Sequence, residues 1–259
     1  MWRHQQIMFV QFHVVYELIF HPSPGSIPSE LGMMSSLQLL GLHNNTLELE
    51  IPSEIWNLTQ LSALYLDGNN FRGTIPREVE KLTELVDFRL RCNDMGGTLP
   101  ASSLTSLSES SFLSDFMHIV CYGWFSCSQF WNYARVEHLF TAKLKILYLD
   151  SNNFTGPIPT EIGELQNLES FFIQNNKLES SIPSEVGNLN NLIHFIADNN
   201  NFTGELPSQL LELPRLEKLW LTGNKLNNTV PPEACDSNDI FLEIKVDCSL
   251  SCECCGGCD

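Results

Sequence analysis

The sequence predicts an α/β repeat solenoid, a horseshoe of stacked coils with a parallel β-sheet on its concave side and a mostly irregular or 3-10 convex side. Three observations predict it. A phrase of the form Leu-x-x-Leu-x-Leu-x-x-Asn-x-Leu-x-Gly-x-Ile-Pro, or a near variant, is written seven times. Its anchor dipeptides are Ile51-Pro52, Ile75-Pro76 and Leu99-Pro100, then after a gap Ile158-Pro159, Ile182-Pro183, Leu206-Pro207 and Val230-Pro231, with an eighth, Ile27-Pro28, closing a stretch that has His21 at the Asn place, and they lie 24 residues apart wherever the writing is uninterrupted. An Asn recurs at one fixed place: Asn45, Asn69, Asn93, Asn152, Asn176, Asn200 and Asn224.

The copy from Leu61 to Glu84 justifies each element in turn. Leu64 and Leu66 point inward from a short strand while Tyr65 and Asp67 point outward, because side chains alternate along an extended chain. Asn69 follows, and an inward amide carries the donors and the acceptor that the backbone of a buried turn lacks. Stacked, these residues form an Asn ladder. Phe71, Gly73, Ile75 and Pro76 return the chain along the opposite side, with Gly73 supplying a bend and Pro76 ending strand pairing. Val79 and Leu82 close the core before Leu85 opens the next copy. No copy buries its apolar stripe alone, so neighbours must stack. A period of roughly 20–29 residues with this Leu and Asn spacing is the signature of a leucine-rich-repeat solenoid.

The phrase Leu-x-Gly-x-Ile-Pro-x-x-Ile-Gly-x-Leu, seen best in Phe154 to Leu165 and more loosely in Leu178 to Leu189, resembles the plant-type subclass of leucine-rich-repeat proteins. That subclass includes receptor-like kinase ectodomains, receptor-like proteins and polygalacturonase inhibitors. The resemblance covers Gly25 to Pro100 and Leu144 to Ala234. It implies recognition of a protein, peptide or glycan by the concave sheet, in cell-surface or extracellular signalling or defence. It implies no activity of the domain's own, and fold-level analogy does not name the ligand.

The departures from the period divide the rest of the chain. Residues 1–24 are a degenerate first repeat or an incorrectly defined start: Tyr16 and Leu18 sit where strand leucines belong, while His13 and His21 occupy Leu and Asn positions. Arg3 precedes Ile7 to Val10 as in a signal peptide, but Gln11, His13 and Glu17 break the apolar run, so no convincing signal peptide is written. Between Pro100 and Pro159 the chain spends 59 residues, two periods plus 11, and 101–143 is an irregular insertion with a Ser-rich start followed by Cys121, Trp124, Cys127, Phe130, Trp131 and Tyr133. Three readings stand: a degenerate repeat with a surface loop, a functional island folded over the concave face, or mistranslated sequence. The longest apolar stretch, Phe116 to Phe125, is too short to cross a bilayer and contains His118.

Residues 235–259 read as a Cys-rich terminal cap. Cys235, Cys248, Cys252, Cys254, Cys255 and Cys258 match disulfide arithmetic at the end of an array, and Ile240, Leu242, Ile244 and Val246 alternate as a half-buried strand does. A thiolate metal site in Cys252-x-Cys254-Cys255-x-x-Cys258 is the rival, with low specificity for want of a histidine or a second spaced pair. Disulfides would place folding in an oxidising compartment. Asn44, Asn57, Asn153, Asn201 and Asn227 head sequons, although those at Asn153 and Asn201 also follow the repeat's own consensus. The expected setting is extracellular or cell-surface associated. An intracellular scaffold is the alternative, and free thiols would select it.

The candidate ligand-binding surface is the outward set of strand residues. The middle outward position reads Gly41, Tyr65, Arg89, Tyr148, Phe172, Ile196 and Trp220, and the third reads His43, Asp67, Arg91, Asp150, Gln174, Asp198 and Thr222. Rings beside hydrogen-bonding groups suit peptide or sugar contact, and Tyr65, Asp67, Arg89, Tyr148, Asp150, Phe172, Asp198 and Trp220 are the residues expected to carry it. The bland reading is that rings on neighbouring strands only stack on one another. The net charge of −17, from 14 Lys and Arg against 31 Asp and Glu, lacks the basic footprint a nucleic-acid partner requires and favours a basic or neutral one. No cofactor and no catalytic residue is expected: there is no phosphate-cradling loop, nucleophile elbow or metalloprotease helix motif. A Thr row for binding a flat surface is begun by Thr74, Thr98 and Thr229 but broken by Glu50, Pro157 and Glu205.

Overall fold

A computed structural model of the chain describes residues 5–10, 13–18, 24–100, 143–227 and 243–247. The cysteines from Cys235 to Cys258, the insertion with Cys121 and Cys127, and the histidines His21, His118 and His138 lie outside the described residues. The coils stack into a solenoid. Its concave sheet has ten strands among the described residues: β1 (Gln5–Val10), β2 (His13–Leu18), β3 (Leu37–Gly41), β5 (Ala63–Tyr65), β7 (Asp87–Arg89), β9 (Ile146–Tyr148), β11 (Ser170–Phe172), β13 (His194–Ile196), β15 (Lys218–Trp220) and β17 (Glu243–Lys245). From β2 onward every neighbouring pair is parallel, as one strand per right-sized coil requires.

On the return side lie β4 (Glu48–Glu50) with β6 (Asn70–Arg72), and a five-stranded parallel set of β8 (Gly96–Thr98), β10 (Asn153–Gly156), β12 (Lys177–Ser180), β14 (Asn201–Gly204) and β16 (Lys225–Leu226). The convex turns are 3-10 helices at Ser29–Met33, Ser53–Asn57, Arg77–Lys81, Thr160–Glu164 and Ser184–Asn188, with one short helix α1 (Ser208–Leu211). Each follows an anchor proline, whose missing N–H costs nothing at the start of such a turn. Pro28 and Pro52 begin two of them by accepting from Leu31 and Ile55 N–H, both at 3.1 Å. One continuous apolar core runs along the stack, with Leu61, Leu64, Leu66, Phe71, Val79 and Leu82 buried in the copy taken above.

Two ends differ from a plain repeat. Tyr16 on β2 is buried (2% exposed) and pairs with Leu40 of β3, so its ring occupies the core place of a strand leucine. β1 then folds back antiparallel on β2 as an edge hairpin, which the period did not announce; Ile7 to Val10, the run that resembles a signal-peptide core, is part of it. At the other end β17 extends the sheet, with Ile244 and Val246 buried.

The insertion leaves the register intact. β7 pairs directly with β9, Arg89 opposite Tyr148, and β8 with β10, so the described coils on either side are immediate neighbours in both sheets. Lys143 reaches Glu84 across 59 residues of sequence in the way that Lys145 reaches Glu169 across 24. No described helix is long and apolar enough to cross a membrane.

Candidate functional site

The Asn residues hold the ledge from which the concave side chains project. Asn69 Nδ2 donates to Leu42 O at 2.9 Å and Leu66 O at 3.1 Å, and its Oδ1 accepts from Leu47 N–H at 3.1 Å, tying two coils with one amide. Asn93, Asn152, Asn176, Asn200 and Asn224 each donate to the preceding coil in the same way, and Asn45 donates to Leu42 O and His43 O. The ladder crosses the insertion: Asn152 donates to Leu90 O and accepts from Met95 N–H, both at 3.0 Å.

From this ledge the middle outward column projects side by side. Arg89 is clamped between two rings, 4.8 Å from the Tyr65 centroid and 5.4 Å from that of Tyr148. Tyr148 stacks on Phe172 at 4.4 Å and 17°, and His194 meets Phe172 edge-on at 6.3 Å. A buried Ile196 then interrupts the rings before Trp220, which carries the Lys245 ammonium 3.7 Å over its face and Lys218 at 5.8 Å. The single aromatic column read from the sequence is therefore two blocks. Its rings are half-buried rather than free, because neighbours one strand away cover them.

The first outward column, which the sequence reading passed over, supplies the partner that fixes Arg89. Asp87 receives Arg89 Nε at 2.8 Å and Nη2 at 2.6 Å, and the Tyr65 hydroxyl at 3.1 Å. The alternation rule could have found it, since Asp87 lies two residues before Arg89 on the same face.

The third column alternates charge. Asp67 and Asp150 flank Arg91, so the two acids do not meet. Asp67 accepts the Arg91 N–H at 3.2 Å, yet burial pushes its carboxyl up to about 6, with Arg91 and Arg89 pulling it back. Burial likewise raises Asp150. Asp198 accepts the Thr222 N–H at 2.8 Å and hydroxyl at 2.6 Å, and Asp247 accepts from Gly223 and Asn224. Buried polar atoms that meet no partner among the described residues are Asp150 Oδ1, Gln174 Oε1, Trp220 Nε1 and Gln38 Oε1.

Of the sequon residues, Asn44, Asn57 and Asn227 are exposed. Asn153 and Asn201 are half-buried: Asn153 donates to Asp94 at 2.6 Å and Asn201 accepts from Lys225 at 3.1 Å. Among the described residues Cys92 is exposed and unpaired.

Residues 36–58, 60–82, 143–165 and 167–189 each match the family model described as Leucine Rich Repeat. No curated protein matches the chain. Among solved structures the chain is similar to a plant peptide hormone receptor, RGFR1, in complex with RGF2, at 27% identity and TM-score 0.68 over 86% of this chain and 31% of that one. It is similar to the Arabidopsis receptor kinase HAESA in complex with the peptide hormone IDA and the co-receptor SERK1, at 27% identity and TM-score 0.67 over 86% and 32% of the two chains. A plant ice-binding protein shares the fold, at 22% identity and TM-score 0.69 over 94% and 67%. The chain spans about a third of the length of the two receptors it matches.

Proposed function

We propose that this chain, a leucine-rich-repeat protein of the plant type, is a recognition module that binds an extended peptide or protein segment along its concave face. One observation carries the proposal: Tyr65, Arg89, Tyr148 and Phe172 touch one another across four neighbouring strands and stay part-exposed, while Asp150 and Gln174 beside them, and Trp220 beyond Ile196, keep buried polar atoms that meet no partner among the described residues. Rings of this kind supply contact area at low entropic cost, and unsatisfied polar atoms reward a ligand that completes them. The two receptors described above bind peptide hormones, which favours a peptide over a glycan. Capture of a randomised octapeptide library by the native protein is the test. Tyr148→Ala with Trp220→Ala is expected to abolish capture while melting moves little; a large loss of stability with capture retained would mean that the rings serve stacking alone.

Extracellular or cell-surface work belongs to the same proposal. It is supported by the likeness to receptor ectodomains and by the exposed sequon residues Asn44, Asn57 and Asn227. The second reading is an intracellular scaffold, in which Cys92, exposed and unpaired among the described residues, and the other cysteines would stay reduced. Peptide mapping of the native protein decides between them, since occupied sequons and paired terminal cysteines fit the first and unmodified asparagines with free thiols the second.

A further inference from the structure

Among the described residues six outward carboxylates project from the concave ledge, and five of them are occupied by the protein itself. Asp67 takes a backbone N–H, Asp87 takes Arg89 and Tyr65, Asp198 takes Thr222, Glu243 takes Lys245, and Asp247 takes the amides of Gly223 and Asn224. Asp150 differs. It is 6% exposed, its Oδ1 meets no donor among the described residues, and what steadies the carboxyl is a long bond to Oδ2 from the Ser151 hydroxyl at 3.4 Å, its own backbone N–H and the charge of Arg91. Arg91, the cation nearest in the same column, lies 5.9 Å over the Tyr148 ring and leaves Oδ1 unmet.

One strand further on, at the equivalent place, the Gln174 amide oxygen is also buried and unpartnered. The two positions are neighbours, since Tyr148 pairs with Phe172 and Ser151 N–H donates to Gln174 O at 2.9 Å, which sets the side chains one strand spacing apart, about 4.8 Å. Two desolvated acceptors side by side cost free energy until a donor reaches them, and a charged donor gains most against a carboxylate. Next to them the Tyr148 ring turns its faces to its strand neighbours, Phe172 on one side and Arg89 with Arg91 on the other, so the two rings wall the pair of acceptors rather than offering an open face. We infer that Asp150 and Gln174, walled by the Tyr148 and Phe172 rings, form a subsite for a cationic side chain of the bound segment, a guanidinium or an ammonium. The inference rests on the reading that a peptide lies along the concave face, and it adds that this peptide carries a basic residue. The formal charge of −17 steers such a ligand inward. Burial holds the Asp150 carboxyl above the usual range, so the arriving cation also lowers it again. Neighbouring side chains must change rotamer to admit it, as interface side chains commonly do.

The probes are Nα-acetyl-L-argininamide and its neutral isostere Nα-acetyl-L-citrullinamide, titrated into the full chain while the Asp150 side-chain carboxyl is followed by carbon-13 NMR. Argininamide is expected to lower the Asp150 titration midpoint and to bind about ten-fold more tightly than citrullinamide. Asp150→Asn removes that preference and Gln174→Leu weakens it, whereas Glu179→Gln on the return side leaves it unchanged. Because the two probes are compared on the unsubstituted protein, the outcome stands even if a variant fails to fold. Equal binding of both probes, or an Asp150 that titrates below the ordinary carboxylate range in the free protein because Arg91 has closed on it, overturns the inference. The octapeptide library separates this outcome from the broader reading. Argininamide recognition without peptide capture keeps the subsite and removes the peptide; peptide capture with no Lys or Arg preference and a silent Asp150 does the reverse.

Discussion

Two backbone positions in every coil demand the left-handed region, and the residues there were read unequally well. The bend after the return strand is filled by Gly73, Gly97, Gly156 and Gly204, all at positive φ, and the glycine in the phrase announces it. Leu49 and Ser180 take the same conformation, at φ 71° and 72°, without glycine's freedom. The other position, Asn44, Gly68, Cys92, Ser151, Asn175, Asn199 and Gly223, also lies at positive φ, but its mixed residues hide the demand from the sequence. A branched residue in this region costs about 1–2 kcal/mol, against about 0.5–1 kcal/mol for glycine's extra freedom when unfolded. Leu49 is 57% exposed, so its side chain loses little on removal. Leu49→Gly is therefore expected to stabilise the protein by about 0.5–1 kcal/mol in urea melts; a loss would mean that the Leu49 side chain is held by something else. Asp150 marks where residue-level reading stopped: alternation placed it outward, but only packing against its neighbours buries it.

Strands and turns were more legible, because the Leu and Asn registers repeat and each repetition fixes the next. The hairpin of β1 and β2 was not, since a single edge strand has no second copy to align with and its antiparallel pairing lies outside the period. The ladder is where one amide does most for an element. Asn176 donates to Leu149 O and Ile173 O and accepts from Phe154 N–H, all at 3.0 Å. Asn176→Ala strands these buried backbone groups and should cost about 3 kcal/mol, measured by chemical denaturation. A cost under about 1 kcal/mol would show water taking the amide's place. The convex turns carry a second rule: a Cβ at Gly163 would stand 2.5 Å from Glu185 O of the next coil, which explains the Ile-Gly pair of the phrase as close stacking rather than bending.

At the scale of the molecule, the period announced a solenoid, and the four repeat matches and receptor-like neighbours agree with it. What the sequence could not convey was that the described coils on either side of the insertion are immediate neighbours, for a count of residues does not say which coils will meet. β7 meets β9 directly and the Asn ladder runs through the junction, so the two described blocks are joined side by side while 59 residues of sequence separate Glu84 from Lys143. That has a mechanical consequence. Pulled from its two ends, the chain should peel coil by coil, each ordinary coil of 24 residues releasing roughly 80 Å of contour length. The coil that spans the insertion should release roughly 200 Å for its 59 residues at a comparable force. A single-molecule trace with one long tooth in an otherwise even saw would record that hidden length, and a trace with an additional ordinary tooth in its place would show the insertion to be a coil after all.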